Sequence, residues 1–274
     1  MSQDKANYNY YDLFSRNLGL ITQEQQEKLK NSKVCVFGAG GIGGTAFEIL
    51  IRSGIGSFAI VDKDYFEASN INRQIFCFTD TIGKDKVEAA KDFGLRINPY
   101  ADIETYKKID EENIDKLISG ADVILLAIDE LEPCIIISRA ARKQNIPIVE
   151  GWAIPFGNVR VFDSTTPELE EVYNLPTKGK PLSKFSKDQI DEFGREVLYS
   201  LGDIEGIIDY YSADVIERIE SGKIPSFAPM VWLTSVFMAA EVLKILLNMG
   251  KIASGRDFCL YDPFLHKIPG KKID

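Results

Sequence analysis

Residues 33–62 read KVCVFGAGGIGGTAFEILIRSGIGSFAIVD. Lys33 opens VCVF, a continuous apolar run of the kind that fills a parallel strand covered on both faces. Glycines follow at 38, 40, 41, 43 and 44; TAFEILIRSG then reads as a helix ended by Gly54, and SFAIVD as a second strand ending at Asp62. Strand, glycine turn, helix, strand is the opening unit of a doubly wound, Rossmann-like α/β fold. Working outward, GKDKVEAAKDFGLRIN is expected as a helix, DIETYKK as a strand, EENIDKLIS as a short helix and DVILLAID as a buried strand. EPCIIISRAARKQN returns as a helix, and IPIVEGW as another strand. Upstream, Thr22 is placed to cap a helix over ITQEQQEKLKNS. This alternation implies right-handed crossovers and a mainly parallel sheet.

The chain has 274 residues, 45% hydrophobic and 27% charged, which is ample for a core and excludes general disorder. Its net charge of −9 argues against a nucleic-acid scaffold and makes RNA an awkward partner. A single histidine, His266, leaves histidine-based catalysis almost without material. Cysteines 35, 77, 134 and 259 form no C-x-x-C pair, so no structural zinc and no disulfide framework is expected, and a reducing cytoplasm is the default compartment. MSQDKANYNYYD has no apolar segment of the secretory type. Met230 to Leu247 comes nearest to a membrane span, but Glu241 and Lys244 interrupt it, and a buried helix is expected instead.

Beyond Gly151 the rhythm changes. NVRVFD reads as a strand, and residues 163–222 then carry 14 acids against 6 bases, nearly the whole net charge. With Pro167, Pro176 and Pro181 and no long apolar periodicity, this stretch reads as an inserted, partly mobile excursion. FAPMVWLTSVFMAAEVLKILLNMG is a long apolar helix and FCLYDP a last strand. The expected organisation is one domain over 1–274: a helical arm (1–31), a nucleotide-binding core (32–162), an acidic crossover and substrate region (163–224), and a C-terminal helix and strand (225–274).

Gly38-x-Gly40-x-x-Gly43 lies between a strand and a helix, where glycine permits a tight turn and lets backbone N–H groups approach phosphate. Asp62 ends the next strand, where a carboxylate binds ribose hydroxyls. Those features fit NAD, FAD or ATP equally. The continuation VDKDYFEASNINRQIF adds Asp64, Asn70, Asn72, Arg73 and Gln74, and Lys86 follows. A dinucleotide site does not call for that cluster, whereas an arginine fork and a lysine point charge suit a triphosphate.

On GAGGIGG, VDKDYFEASNINRQ, Lys86 in GKDKVEAA, and LLAIDE with Asp129, the chain resembles the ThiF/MoeB/HesA family, relatives of the ubiquitin-activating enzymes. SRNLGL and SFAPMVWLTSVFMAAEVLKILL resemble the family's flanks. The resemblance implies adenylylation of a carboxylate by ATP and Mg²⁺, the substrate being a small ubiquitin-like carrier protein or a peptide. It places phosphates on Gly38, Gly40, Gly41 and Gly43 and ribose on Asp62, with Asp64 ranked below it. Asn70, Arg73, Gln74 and Lys86 would line the triphosphate and Asp129 would hold Mg²⁺. Arg16 would be supplied across a homodimer.

Each residue also has a plainer reading. Arg16 lies on a polar segment with little to anchor it locally, Asn70 and Asn72 suit Asx turns, Lys86 suits an exposed helix, and Asp129 suits a helix cap. Cys35 and Cys259 read as core residues, Cys134 as helical, Cys77 as buried in a loop, and Trp152 and Trp232 as packing residues. The family's paired C-x-x-C motifs are missing, and residues 135–258 contain no cysteine, which excludes a carrier thioester through the crossover. Two rivals stand beside this reading: a tRNA-modifying dehydratase with the same ATP chemistry, and an NAD- or FAD-binding oxidoreductase.

Overall fold

The computed structural model describes residues 8–153, 157–202, 218, 225–263 and 266. Five strands run parallel: β1 (Lys33–Phe37), β2 (Ser57–Val61), β3 (Asp102–Tyr106), β4 (Val123–Leu126) and β5 (Ile148–Glu150). Two more, β6 (Asn158–Phe162) and β7 (Cys259–Leu260), extend the sheet by antiparallel pairing. The order is β3-β2-β1-β4-β5-β6-β7, so the winding reverses between β1 and β4, the doubly wound topology expected.

Alternation within β1 divides the core. Val34 and Val36 face one layer with the helices α2 (Gln23–Asn31), α3 (Gly41–Arg52), α4 (Lys86–Ile97) and α9 (Ala228–Leu247). Cys35 and Phe37 face the other, with α5 (Ile114–Leu117), α6 (Leu131–Gln144), α7 (Leu169–Val172) and α8 (Lys187–Gly202). Thr22 caps α2 in a capping box with Gln25, as its position in the sequence required. A short helix α1 (Tyr10–Phe14) precedes these, capped by Asn9.

Three expectations differ from what the chain does. The helix after the glycine turn starts at Gly41 rather than Thr45, because Gly41, Gly43 and Gly44 pack too closely for side chains and join its first turn. The acidic stretch is no excursion over its described part: Leu169, Leu175, Leu182, Ile190 and Val197 are buried, and α7 and α8 cover α6. Ile190, Phe193 and Val197 form a helical stripe that the intervening acids dilute in the sequence. The remainder, 203–217 and 219–224, lies outside the described residues. Cys259 is exposed rather than in the core, because β7 is a two-residue edge strand that covers only one of its side chains.

The helix α9 is long and apolar enough to cross a membrane by length and composition alone, and half of it is buried, against α3 and β6. Glu241 sits within it, accepting from the Ala253 N–H at 3.0 Å and paired with Lys244 at 2.5 Å.

Phe47 shows how tightly α3 is set. It is fully buried, edge-on to Phe58 at 4.8 Å and to Phe76 at 6.0 Å. Phe47→Ala is expected to lower unfolding free energy by about 3–5 kcal/mol in urea titration. A loss below about 1 kcal/mol would mean that α3 does not depend on this contact.

Candidate active site

The site begins where β1 ends. Gly38 has φ +95° and donates its N–H to Val61 O at 2.8 Å; a Cβ there would lie 2.3 Å from Ala127 O, beyond β4. A Cβ on Gly43 would lie 1.8 Å from Gly38 O. Glycine is therefore obligatory at both, and α3 starts directly over the end of β1. Its first N–H groups have no acceptor within the helix and point to the carboxyl edge, a setting for an anion.

Asp62 locks this turn. Its Oδ2 accepts from Ala39 N–H at 2.7 Å and its Oδ1 from Asp64 N–H at 2.9 Å. Burial pushes the Asp62 carboxyl up, while the Asp64 and Ala39 N–H groups and the charge of Lys86 oppose that rise. Lys86 is not the exposed helix lysine of the plainer reading. It is 7% exposed, the first residue of α4, and its Nζ lies 3.0 Å from Asp64 Oδ2. Asp85 caps the helix in front of it.

The N-x-N-R-Q cluster fills a short 3₁₀ turn, Ala68–Asn70, and the residues after it. Asn70 is buried and its Oδ1 accepts from Glu67 N–H at 3.0 Å, a turn-forming bond. Asn72 donates to Ser226 O at 2.8 Å. Arg73 is half-buried; its Nη1 donates to Ser69 O and to Asn72 Oδ1, and burial lowers its pKa. Its aliphatic stem and Val231 of α9 crowd Gly41. Gln74 is buried beside Gly40, and its Oε1 has no hydrogen-bond partner among the described residues. An orphaned buried polar atom of that kind, on a side chain beside the glycine turn, calls for a ligand or water.

Asp129 lies two residues beyond Ala127, exposed and taking part in none of the hydrogen bonds or ion pairs of the described residues. It does not cap α6; Glu130 holds that position, with no side-chain cap bond. No group of three His, Cys, Asp or Glu residues suited to a metal occurs among the described residues. The structure thus gathers Gly38, Gly40, Gly41, Gly43, Asp62, Asp64, Arg73, Gln74, Lys86 and Asp129 around one edge.

Arg16 is elsewhere. Its neighbour Asn17 donates to Ser53 O at 3.2 Å, and Tyr10 donates to Gly54 O at 2.5 Å, at the far end of α3. The segment is firmly anchored, contrary to expectation. At 1.5 Å per residue the 12 residues of α3 hold exposed Arg16 roughly 18 Å from the glycine turn.

A second polar cluster escaped the sequence reading. Glu150 ends β5 and Arg160 stands opposite it on β6; both are buried, with Nη2 and Oε2 2.6 Å apart. Tyr173 donates to Glu150 Oε2 at 2.9 Å, and Trp152 Nε1 donates to Tyr173 at 2.9 Å. Burial opposes the charge of Arg160, yet Glu150 and Tyr173 hold its pKa above the usual value. Glu150 Oε1 has no partner among the described residues. The one signal that could have found this cluster is local: Glu150, like Asp129, is a carboxylate at the carboxyl end of an apolar run. A cavity of about 150 Å³ lies at the opposite end of β5, but there Arg139 and Arg142 already donate to Glu170, Asp163 O and Thr166 O.

Arg160→Met would leave Glu150 buried without a counter-charge. A loss of about 3–5 kcal/mol in unfolding free energy is expected, largely recovered when Glu150 is also made Leu. Additive losses in the double variant would show that the pair is not coupled.

Comparison with known proteins gives four findings. The family model of the ThiF family matches residues 14–271. The molybdopterin-synthase adenylyltransferase of Haemophilus influenzae is 30% identical over 233 residues, 84% of this chain and 81% of that protein. The tRNA threonylcarbamoyladenosine dehydratase of Bacillus subtilis is 31% identical over 190 residues, 66% of this chain and 70% of that one. Among solved structures, that of selenomethionine PaaA superposes with a TM-score of 0.64 at 25% identity, covering 92% of this chain and 79% of that chain.

Proposed function

The chain belongs to the ThiF family, and on that premise we propose that it is an ATP-dependent adenylyltransferase acting on the carboxylate of a small carrier protein or peptide. The observation that carries this reading is the buried Lys86, held by the exposed Asp64 beside Asp62 and the open N-terminus of α3. A cation held inside the fold by a carboxylate, next to free backbone N–H groups, suits a polyphosphate better than a dinucleotide.

In the proposed reaction a substrate carboxylate oxygen attacks the α-phosphorus. An acyl-adenylate forms as the bond to the bridging oxygen breaks, and pyrophosphate leaves. The glycine turn and the first N–H groups of α3 hold phosphate oxygens, while Lys86 and Arg73 offset the charge that grows on the leaving group. Asp62 has lone pairs left beyond its two backbone bonds with which to accept from ribose hydroxyls. Gln74, whose amide can be turned either way, offers oxygen or NH₂ to the same ligand. Asp129, exposed and outside the ion pairs of the described residues, is the carboxylate that would hold a magnesium ion, which would supply charge neutralisation beside the phosphates. No cysteine is assigned a covalent role: Cys35, Cys77 and Cys134 are buried, with thiol pKa values raised by burial, and Cys259 lies on the β7 edge.

The placement of Arg16 supports a homodimer with composite sites. It stands farther from its own glycine turn than an arginine side chain extends, so only a second subunit brings it to a nucleotide. The dehydratase reading is not favoured, since a chain of net charge −9 offers RNA no general attraction. A cytoplasmic setting accords with four free cysteines.

Two measurements test this. Mg-ATP at a hundred times its Kd should raise stability by about 2.7 kcal/mol in a thermal melt, and NAD should not. Asp129→Asn should remove carboxylate-dependent ATP–pyrophosphate exchange with an unchanged ligand-free Tm. A shift with NAD alone would return the oxidoreductase reading. For the dimer, Arg16→Ala and Asp129→Asn subunits, each inactive alone, should regain about a quarter of wild-type exchange on random mixing, because both lesions fall in one of the two sites. Absence of recovery despite subunit exchange would place Arg16 outside the site.

A further inference from the structure

Two residues that the proposed reaction does not use stand beside two that it does. Lys63 follows Asp62 at the end of β2, and Glu130 follows Asp129 beyond the end of β4. β2 and β4 are the two neighbours of β1. At about 4.8 Å per strand, their ends are separated by roughly 10 Å, with the glycine turn between them. The Lys63 Nζ nevertheless lies 2.5 Å from Glu130 Oε1. This ion pair therefore spans the crevice at the topological switch point, which is where open α/β sheets take their ligands. Asp64 and Asp129 are also near enough to act on the Lys63 charge.

Stability does not account for the pair. The side chains are 60% and 55% exposed, and an ion pair so open to water adds little to folding. Glu130 makes no side-chain bond to the start of α6. Its distinguishing property is its position relative to a nucleotide. A ligand with phosphates at the start of α3 and ribose on Asp62 carries its base onward from Asp62, into the space between the loops after β2 and β4. Half-buried Ile128 follows β4, and its Cγ2 comes within 3.1 Å of the position a Cβ on Gly38 would take, which puts an apolar side chain beside the glycine turn at the base of that crevice. An apolar side chain beneath, with a donor and an acceptor across the mouth, suits a flat heteroaromatic ring bearing polar groups on its edge.

We propose that Lys63 and Glu130 are the base-reading residues of the nucleotide site. Their ion pair parts to admit an adenine ring and then brackets its edge, the ammonium donating to a ring nitrogen and the carboxylate accepting from the exocyclic amine. The inference rests on the nucleotide reading above and deepens it, by assigning the base contact to side chains outside the phosphate and ribose groups.

Calorimetric titration of the wild-type protein, Lys63→Met and Glu130→Ala with Mg-ATP, Mg-tripolyphosphate and Mg-ITP separates the possibilities. ITP carries a carbonyl oxygen where ATP carries the amine. Each variant should weaken ATP about 5- to 10-fold while tripolyphosphate changes by less than about twofold, and ligand-free Tm values should stay together. Glu130→Ala should also lose the preference for ATP over ITP. The sign for Glu130 is diagnostic, because removing a carboxylate near a polyanion would by charge alone strengthen binding of ATP and tripolyphosphate alike. Parallel changes for both ligands would make the pair a phosphate-side charge effect and overturn the proposal. Unchanged ATP binding in both variants would reduce the pair to a solvated surface contact, and so overturn it too. Failure of the wild-type protein itself to bind ATP would instead remove the nucleotide reading, a result distinct from either.

Discussion

Two backbones meet at the end of β1, and the site depends on how closely they meet. Gly43, in the first turn of α3, approaches the Gly38 carbonyl so closely that a Cβ would stand 1.8 Å from it. That contact sets α3 directly over the strand and fixes which N–H groups remain free. The Gly38 N–H, turned by its positive φ, ties to Val61 and thereby registers the ends of β1 and β2. Asp62 can then reach Ala39. On the other side, the close passage of Gly38 past Ala127 brings the loop carrying Asp129 to the same edge. A side chain at Gly43 would force α3 off the strand, and with it Val231 of α9, which is packed on Gly41, whereas one at Gly38 would push the loop after β4 away.

Charge at this edge is finely distributed. Asp62, Asp64, Asp129 and Glu130 stand among Lys63, Lys86 and Arg73. Were all the acids unpaired, a triphosphate would be repelled. Instead Asp62 spends its charge on two backbone N–H groups, Asp64 holds Lys86, and Glu130 holds Lys63. Asp129 alone takes part in none of these pairings. Under the proposed function that is the useful asymmetry: an uncommitted carboxylate is available to a divalent cation, while the committed ones orient the lysines and the glycine turn.

Much of this was legible before the fold was known, and the parts that were not have a common cause. Buried parallel strands announce themselves as apolar runs, and glycine spacing reports backbone proximity directly, so the sheet and the turn could be read along the chain. Thr22 disclosed its cap in the same way, and the structure adds Gln25 as its reciprocal partner. What stayed hidden depends on pairing across elements. Nothing local says that Glu150 faces Arg160 and Tyr173, 10 and 23 residues on, or that Lys63 reaches Glu130. The exposure of Cys259 depends on how short an edge strand β7 is. The anchoring of Tyr10 on Gly54 depends on where α3 ends. Asn70 was legible in two ways, and its bond to Glu67 N–H shows the turn-forming one.

The Glu150–Arg160–Tyr173 cluster explains how the acidic crossover is attached. A buried ion pair is poor value as stability, since removing two charges from water costs about what their attraction returns. Its geometry is more informative. Glu150 is in register with Leu126, three residues before Asp129, and Tyr173 arrives from the segment just past α7. Through Tyr173 and Trp152, the crossover is pinned to the carboxyl edge one strand away from the proposed metal carboxylate. Leu131, in the first turn of α6, also touches Gly194 of α8. Over its described residues the acidic stretch is therefore packed beside the carboxyl edge of the sheet rather than a distant appendage. The nucleotide half is built from glycine turns and buried strands, whose geometry leaves little freedom. The acidic crossover beside it is held by side-chain pairing rather than by backbone contact.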